Sequence, residues 1–146
     1  MPNTKPYVSV ACVCEKVLQE KDGVLSAIRL VDTFHLQPLP GAPADAKGIL
    51  PLTALVALKS GDVTGTFELR MQVRSPSGKV VDIPEKWPVI LAGGEQGVQL
   101  VMQFHLPVPE FGLYWFDVLW NGDVLTSFPL KLILGPRPAA ASADKH

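Results

Sequence analysis

The sequence predicts an all-β fold, an antiparallel β-sandwich of about seven to nine strands with Greek-key-type connections. Three observations lead to this prediction. Apolar and polar residues alternate with period two over much of the chain, and Gly, Pro and Asp separate the alternating segments. Asn121-Gly122 joins two apolar runs that are rich in aromatic residues. Such a pair is the strongest short-range signal for a two-residue hairpin, because both turn residues must adopt positive φ.

Each strand is predicted from its apolar pattern and from the turn residues that bound it. The predicted strands cover residues 7–18, 24–36, 52–58, 64–74, 79–83, 87–91 and 97–106, and the hairpin covers 112–134. The clearest alternation lies in 64–74, where Phe67, Leu69, Met71 and Val73 share one face. This strand is therefore expected to have one face on the core and the other in water.

The chain has the size of one domain. Its 146 residues can bury a core without a disulfide or a metal, and we expect a single domain over residues 1–135. Residues 38–48 are rich in proline and are expected to form an ordered loop between the sheets. Residues 136–146 carry almost nothing to bury and are expected to be disordered.

Charge and hydropathy narrow the function classes. Thirteen basic and fourteen acidic residues give a net charge of −1, and neither sign forms a block. Nucleic acids and anionic membranes require a basic surface, so we expect neither as a partner. No run is apolar and long enough to span a bilayer, and the first residues lack a secretory signal, which predicts a cytoplasmic protein.

The two cysteines, Cys12 and Cys14, lie in the first predicted strand. Residues two apart on a strand point to the same face about 7 Å apart, which is too far for an unstrained disulfide. Buried free thiols are therefore expected. The alternative is a metal pair, but it would need further ligands such as His35, His105 or His146, and a lone C-x-C is a weak signal. We predict no metal and no cofactor.

A local motif refines the fold class. The segment Glu110-x-Gly112-x-Tyr114-x-Phe116 resembles the tyrosine corner of immunoglobulin-like domains, with Phe116 at the position of the second core cysteine. The resemblance implies that Tyr114 bonds to the backbone upstream and fixes the crossing between the sheets. The disulfide and an obvious core tryptophan of antibody domains are missing, so the resemblance concerns the broad architecture.

A second resemblance extends over most of the chain. Residues 15–32, together with the closing G-x-Y-x-F hairpin, resemble a family of small uncharacterised bacterial β proteins. The resemblance implies this fold and a bacterial origin, but no activity.

Three residues are candidate ligand-binding residues. Asp32 shares a strand face with apolar neighbours and is expected to be partly buried, while Arg29 points to the opposite face. We expect Asp32 to accept local hydrogen bonds, and a catalytic or ligand role is the alternative. Trp87 stands before a proline in the segment 84–88 and could stack a sugar, although a loop anchor packed into the core is the more common role.

The closing hairpin is apolar on both faces. A two-residue loop at Asn121-Gly122 opposes Trp115 to Phe128 and places both with Leu119 on the outer face. Either a bulge, for example near Pro129, changes the facing of the second strand, or something covers the outer face. The cover could be the proline-rich loop, a second copy or another protein. Trp115, Leu119 and Phe128 are therefore the candidate partner surface.

Known catalytic motifs are missing from the sequence. It contains no glycine-rich phosphate loop, no G-x-S-x-G and no H-E-x-x-H, so we expect no enzyme activity. Carboxylates that converge from distant positions, such as Glu85 with Glu95 or Glu110, are the alternative. The sequence thus predicts a non-catalytic interaction or structural module of a bacterial cytoplasmic assembly. A glycan- or small-ligand-binding sandwich is the alternative function.

Overall fold

The structure, a computed structural model, describes residues 5–36, 48–108 and 110–135. These residues form eight strands and no helix. The strands are β1 (Tyr7–Gln19), β2 (Leu25–Leu30), β3 (Thr33–Leu36), β4 (Gly48–Arg74), β5 (Val80–Asp82), β6 (Trp87–Val108), β7 (Gly112–Trp120) and β8 (Asp123–Leu134). None of the described segments could cross a membrane as an apolar helix.

The long strands β4 and β6 organise the architecture. They pair antiparallel over most of their length, and their register shifts around Gly61, where the ribbon passes from one layer to the other. The first half of β4 also pairs with β1, which pairs with β2. The second half also pairs with β5 and β7, and β7 continues the sheet to β8 and β3. One curled sheet of eight strands thus forms both layers, and the predicted all-β sandwich is confirmed.

The strand boundaries differ from the predicted ones in two ways. The predicted strands 52–58 and 64–74 are parts of β4, and 87–91 and 97–106 are parts of β6, because the glycines at the bend continue the ladder with a shifted register. The predicted strand 24–36 is two strands. β2 pairs with β1, whereas β3 pairs parallel with β8, so the chain changes layers at Val31 and Asp32.

The core lies between the two layers and follows the predicted alternation. Leu69, Met71 and Val73 of β4 are buried, while the residues between them face outward. Its largest fully buried side chains are Trp120, Tyr114, Phe104 and Phe116. Phe116 contacts Phe104 with ring centroids 5.7 Å apart and Phe128 with centroids 5.5 Å apart.

The predicted tyrosine corner is present. The Tyr114 hydroxyl donates a hydrogen bond of 2.5 Å to the Glu110 carbonyl oxygen, four residues upstream. The Tyr114 side chain is 1% exposed, and burial together with the charge of Glu110 raises the pKa of its hydroxyl against the opposing effect of the backbone hydrogen bond. This hydroxyl therefore fixes the entry of the chain into β7.

Tyr114→Phe is expected to lower the free energy of unfolding by about 1 kcal/mol, because it removes this hydrogen bond and leaves the ring in place. Urea unfolding measures the change. Tyr7→Phe is the matched control, since Tyr7 is 57% exposed, and it should leave stability unchanged. Equal effects of the two substitutions would contradict the role of the corner.

Two predictions concern residues outside the described part of the chain. Residues 38–47 of the predicted proline-rich connection 38–48 lie outside the described residues, and Gly48 begins β4. The C-terminal segment 136–146 also lies outside the described residues.

Candidate functional site

The hairpin of β7 and β8 has the predicted turn. Asn121 and Gly122 adopt φ values of 49° and 84°, as a two-residue loop of this type requires. Trp120 opposes Asp123 and Leu119 opposes Val124, as the sequence predicted.

A β-bulge then changes the facing of β8. Val118 opposes Thr126, so the register shifts at Leu125, which has no opposite residue. A bulge was one of the predicted solutions, but it lies near the turn and not near Pro129. Beyond it every residue of β8 is displaced by one, so Trp115 opposes Pro129 and Phe128 moves to the inner face.

The prediction that Phe128 belongs to an outer surface is therefore wrong. Its side chain is 5% exposed, and its ring stacks on Phe116 in the core. Trp115 and Leu119 do face outward and are partly exposed. Two of the three predicted contact residues thus lie on the same outer face of the hairpin.

The outer face of β4, β7 and β8 forms what we call the hairpin surface. It comprises Leu113, Trp115, Leu119, Arg70, Arg74 and Val124. Leu113 is 44% exposed and Val124 is 49% exposed. The Arg74 guanidinium lies over the Trp115 ring, 5.7 Å from its centroid, as in a cation–π contact.

Asp117 holds this arginine in place. Arg74 Nε donates to Asp117 Oδ2 at 2.8 Å, and Arg74 Nη2 donates to Oδ1 at 2.9 Å. The Ser127 hydroxyl donates to the same Oδ1 at 2.5 Å. The carboxylate is thus bound from both neighbouring strands, and the arginine side chain has a defined position above the tryptophan.

The electrostatics of this group follow from its surroundings. The Asp117 side chain is 7% exposed, and its burial alone would raise the pKa. The hydrogen bonds from Arg74 and Ser127 and the positive charge of Arg74 outweigh burial and lower the pKa of Asp117 below its usual value. Asp117 is therefore ionised at neutral pH.

Arg74 and Asp117 are site residues that the sequence pattern did not predict. One signal was available, since Asp117 is the only charged residue in the aromatic-rich strand 112–120. A carboxylate in such a strand needs a partner, but the partner comes from β4, 43 residues away.

A second candidate site is a cleft where the chain crosses from β2 to β3. Its volume is about 350 Å³, and it is lined by Glu15, Arg29, Leu30, Val31, Asp32, Thr33, Phe34 and His35. Arg29 has a φ of 55°, an uncommon backbone conformation for a non-glycine residue, and its Nε lies 2.7 Å from Glu15 Oε2. Among the described residues, none offers a hydrogen-bond partner to the buried Nδ1 of His35.

This cleft brings together two of the predicted ligand candidates, Arg29 and Asp32, which were expected on opposite faces. The break between β2 and β3 turns both toward the cleft. Asp32 is exposed, so the expectation that it is partly buried is wrong. It lies at the crossing and not within a strand, where its carbonyl oxygen accepts a hydrogen bond of 3.0 Å from the Lys131 amide.

Trp87 lies apart from both candidate sites. It begins β6 opposite Leu69, and its ring meets Phe104 edge-on with centroids 6.4 Å apart. Its side chain is partly buried against the core, as expected for an anchor.

Cys12 and Cys14 are free thiols on β1. Burial raises the pKa of both, and for Cys14 the neighbouring Cys12 raises it further, while backbone hydrogen bonds lower it in part. A raised pKa favours the protonated thiol, which is the opposite of what a nucleophilic cysteine needs. Within residues 5–36, 48–108 and 110–135, no three His, Cys, Asp or Glu side chains are grouped to hold a metal ion.

Comparison with solved structures places the fold among known ones. The chain is similar to part of a β-glucosidase from Listeria innocua, with a TM-score of 0.50 and 13% identity over 90% of this chain and 17% of the enzyme. It therefore spans a small fraction of that protein, and the likeness concerns the fold alone. An immunoglobulin-like protein from Pseudomonas aeruginosa aligns over 88% of this chain and 97% of its own, with a TM-score of 0.41 and 14% identity.

Sequence comparison gives the family. No curated protein matches the chain significantly. The model of a family of unknown function, DUF6941, matches residues 9–133, which include every strand except the first residues of β1 and the last of β8. The chain therefore belongs to the family of unknown function DUF6941.

Proposed function

We propose that this protein is a non-catalytic protein-interaction module that binds a partner protein through the hairpin surface. The observation that carries the proposal is Trp115, which is partly exposed on a sheet face while Arg74 is fixed above its ring. Tryptophan and arginine are the residue types that most often dominate binding energy in protein interfaces.

The surface is also preorganised for binding. Arg74 is held by Asp117, and the strands hold Leu113 and Leu119 on either side of Trp115. Side chains that are fixed before association lose less conformational entropy when a partner binds. A rigid apolar centre therefore supports contact with a protein better than it supports catalysis.

The charge of the surface indicates the kind of partner. Arg70 and Lys131 are exposed beside the apolar residues at the centre of the hairpin surface. The negative charge of the nearby Asp117 is compensated by its ion pair with Arg74. Arg70 has a weak ion pair with Glu68, with Nε and Oε1 3.7 Å apart. We therefore propose a partner with an apolar centre and acidic residues at its rim.

Site-specific photocrosslinking in the source cell tests this function. A photoreactive residue at Leu113 is expected to give one discrete adduct with a partner protein, and Trp115→Ala is expected to abolish that adduct. The same residue at Val24, which is 57% exposed in the β1–β2 turn, is the control and should give none. An adduct that persists in the Trp115→Ala protein, or no adduct at Leu113, would refute the proposal.

The proposed compartment is the bacterial cytoplasm. Two unpaired thiols on β1 are compatible with a reducing compartment. Fractionation of source cells should recover the protein with cytoplasmic markers, and recovery with envelope markers would contradict this part of the proposal.

The cleft at the β2–β3 crossing supports a second candidate function, the binding of a small polar ligand. The specific observation is the buried Nδ1 of His35, which has no hydrogen-bond partner in the described part of the chain and lies beside Arg29 and Asp32. A donor group of a ligand could satisfy this nitrogen. NMR shifts of residues 29–35 with a panel of polar metabolites would support this function, and shifts elsewhere or none would count against it.

A further inference from the structure

Within residues 5–36, 48–108 and 110–135, strand β6 has an open edge along most of its length. It pairs with β4 on one side, and no described strand pairs with its other side. Proteins usually protect such an edge with lysine, proline or a bulge, because unpaired amide and carbonyl groups bind other strands. Between Gly97 and Leu106 the sequence GVQLVMQFHL contains no lysine, arginine, carboxylate or proline. This stretch is therefore an unprotected edge.

The direction of its backbone groups can be read from the prolines. Pro107 opposes Ile49 and Pro51 opposes His105. In an antiparallel ladder, hydrogen-bonded residue pairs alternate with pairs whose backbone groups point away from each other. Proline cannot donate a ladder hydrogen bond, so both of these pairs are of the second, non-hydrogen-bonded kind.

A hydrogen bond on β4 supports the same alternation. The Ala57 carbonyl oxygen accepts a hydrogen bond of 3.1 Å from Ser9 on β1, so it points away from β6, and Ala57 opposes Gln99. In the stretch of β6 that pairs with the first half of β4, every second residue thus directs its amide and carbonyl groups to the open edge. These residues are Gln99, Val101, Gln103 and His105.

This edge is complementary to itself. If a second copy of β6 lies antiparallel beside the first and is centred on Val101, Gln99 of one copy lies opposite Gln103 of the other, and the two Val101 residues lie opposite each other. In each of these pairs, both residues direct their amide and carbonyl groups toward the other strand, as an antiparallel ladder requires. No like charges meet, because the stretch carries no formal charge.

We propose that β6 pairs antiparallel with β6 of a second copy of this chain, about a twofold axis at Val101. The layer formed by β2, β1, β4 and β6 would then continue into the same layer of the second copy. The central pairs supply roughly six main-chain hydrogen bonds. The two Val101 side chains, each 37% exposed in the single chain, cover one another.

Light scattering of the full, untagged chain across a concentration series tests the proposal. Wild-type protein is expected to form dimers, and Val101→Lys is expected to weaken dimerisation at least about tenfold by opposing two positive charges on the axis. Ile90→Lys is the matched control, because Ile90 lies on the same strand in the other layer and is 67% exposed. It should leave the dimer unchanged.

A mixed sample tests the position of the axis. Val101→Lys and Val101→Glu proteins should each dimerise at least about tenfold more weakly than wild type, and their mixture should form heterodimers because opposite charges then meet at the axis. A wild-type protein that stays monomeric, a Val101→Lys protein that dimerises as strongly as wild type, or a mixture that dimerises no better than its components would overturn the proposal.

Hydrogen exchange gives an independent readout. The amides of Gln99, Val101 and Gln103 should become protected only as the concentration rises, whereas those of Leu100 and Met102, which face β4, should be protected throughout. Protection of the first set at every concentration would show that the chain covers its own edge and would overturn the proposal. Trp115→Ala should not alter the dimer, so this test is separate from that of the hairpin surface.

Discussion

Phe116→Ala is expected to lower the free energy of unfolding by about 3–5 kcal/mol, which is the usual cost of truncating a buried phenylalanine. Phe116 is 0% exposed and its ring lies between Phe104 and Phe128, so the substitution leaves a cavity bounded by aromatic rings from two other strands. Urea unfolding followed by far-ultraviolet circular dichroism measures the change.

The neighbouring Trp115 is the control for this result. Trp115 and Phe116 are adjacent on β7, but one faces outward and the other faces the core. Trp115→Ala should therefore cost about 1 kcal/mol or less, through the lost contact with Arg74. A greater loss of stability for Trp115→Ala than for Phe116→Ala would mean that the facing of the hairpin is reversed.

Arg74→Met is expected to lower the free energy of unfolding at neutral pH, because among the described residues it leaves the buried carboxylate of Asp117 with only the Ser127 hydroxyl as a partner. The apolar stem of methionine retains contact with Trp115, so the change reports mainly on the lost charge. The measurement is urea unfolding of the wild type and the variant from neutral pH to acid pH.

The pH dependence has a defined sign. In the folded wild type the pKa of Asp117 lies below its usual value, so its stabilisation is present above the unfolded pKa of about 4 and is lost as the pH falls further, toward the folded pKa. In Arg74→Met, burial dominates and raises the pKa of Asp117. The deficit relative to wild type should therefore shrink as the pH falls.

Asp117→Asn with Arg74→Met provides the control for the pair. The double variant has no buried carboxylate, so it should recover part of the stability that Arg74→Met loses. If the loss of stability in the double variant equals the sum of the losses in the two single variants, the two residues are not energetically coupled.

Local sequence patterns predicted the hairpin and the core face of β7 correctly. Asn121-Gly122 forms the turn, and Tyr114, Phe116, Val118 and Trp120 all point inward. These features depend on neighbouring residues only: the turn needs two positive φ angles, and side chains alternate along a strand. The tyrosine corner was predictable for the same reason, since donor and acceptor are four residues apart.

The outer surface was predicted only in part. Trp115 and Leu119 face outward as expected, but Phe128 lies in the core because the bulge at Leu125 moves every later residue of β8 to the opposite face. The sequence showed that the hairpin has more large apolar residues than one buried face can hold. It did not show where the extra residue would be placed, because a bulge is selected by packing against both neighbouring strands.

The amino-acid sequence by itself determined the all-β class, the position of the closing turn and the core faces of β4 and β7, since each follows from local periodicity or turn chemistry. Only the tertiary structure decided which distant groups meet. The Arg74–Asp117 pair joins residues 43 positions apart, and β6 has an open edge because, among the described strands, β4 alone pairs with it, on one side. The physical reason is that strand pairing and burial depend on contacts between segments far apart in the chain, which the pattern within one strand does not contain.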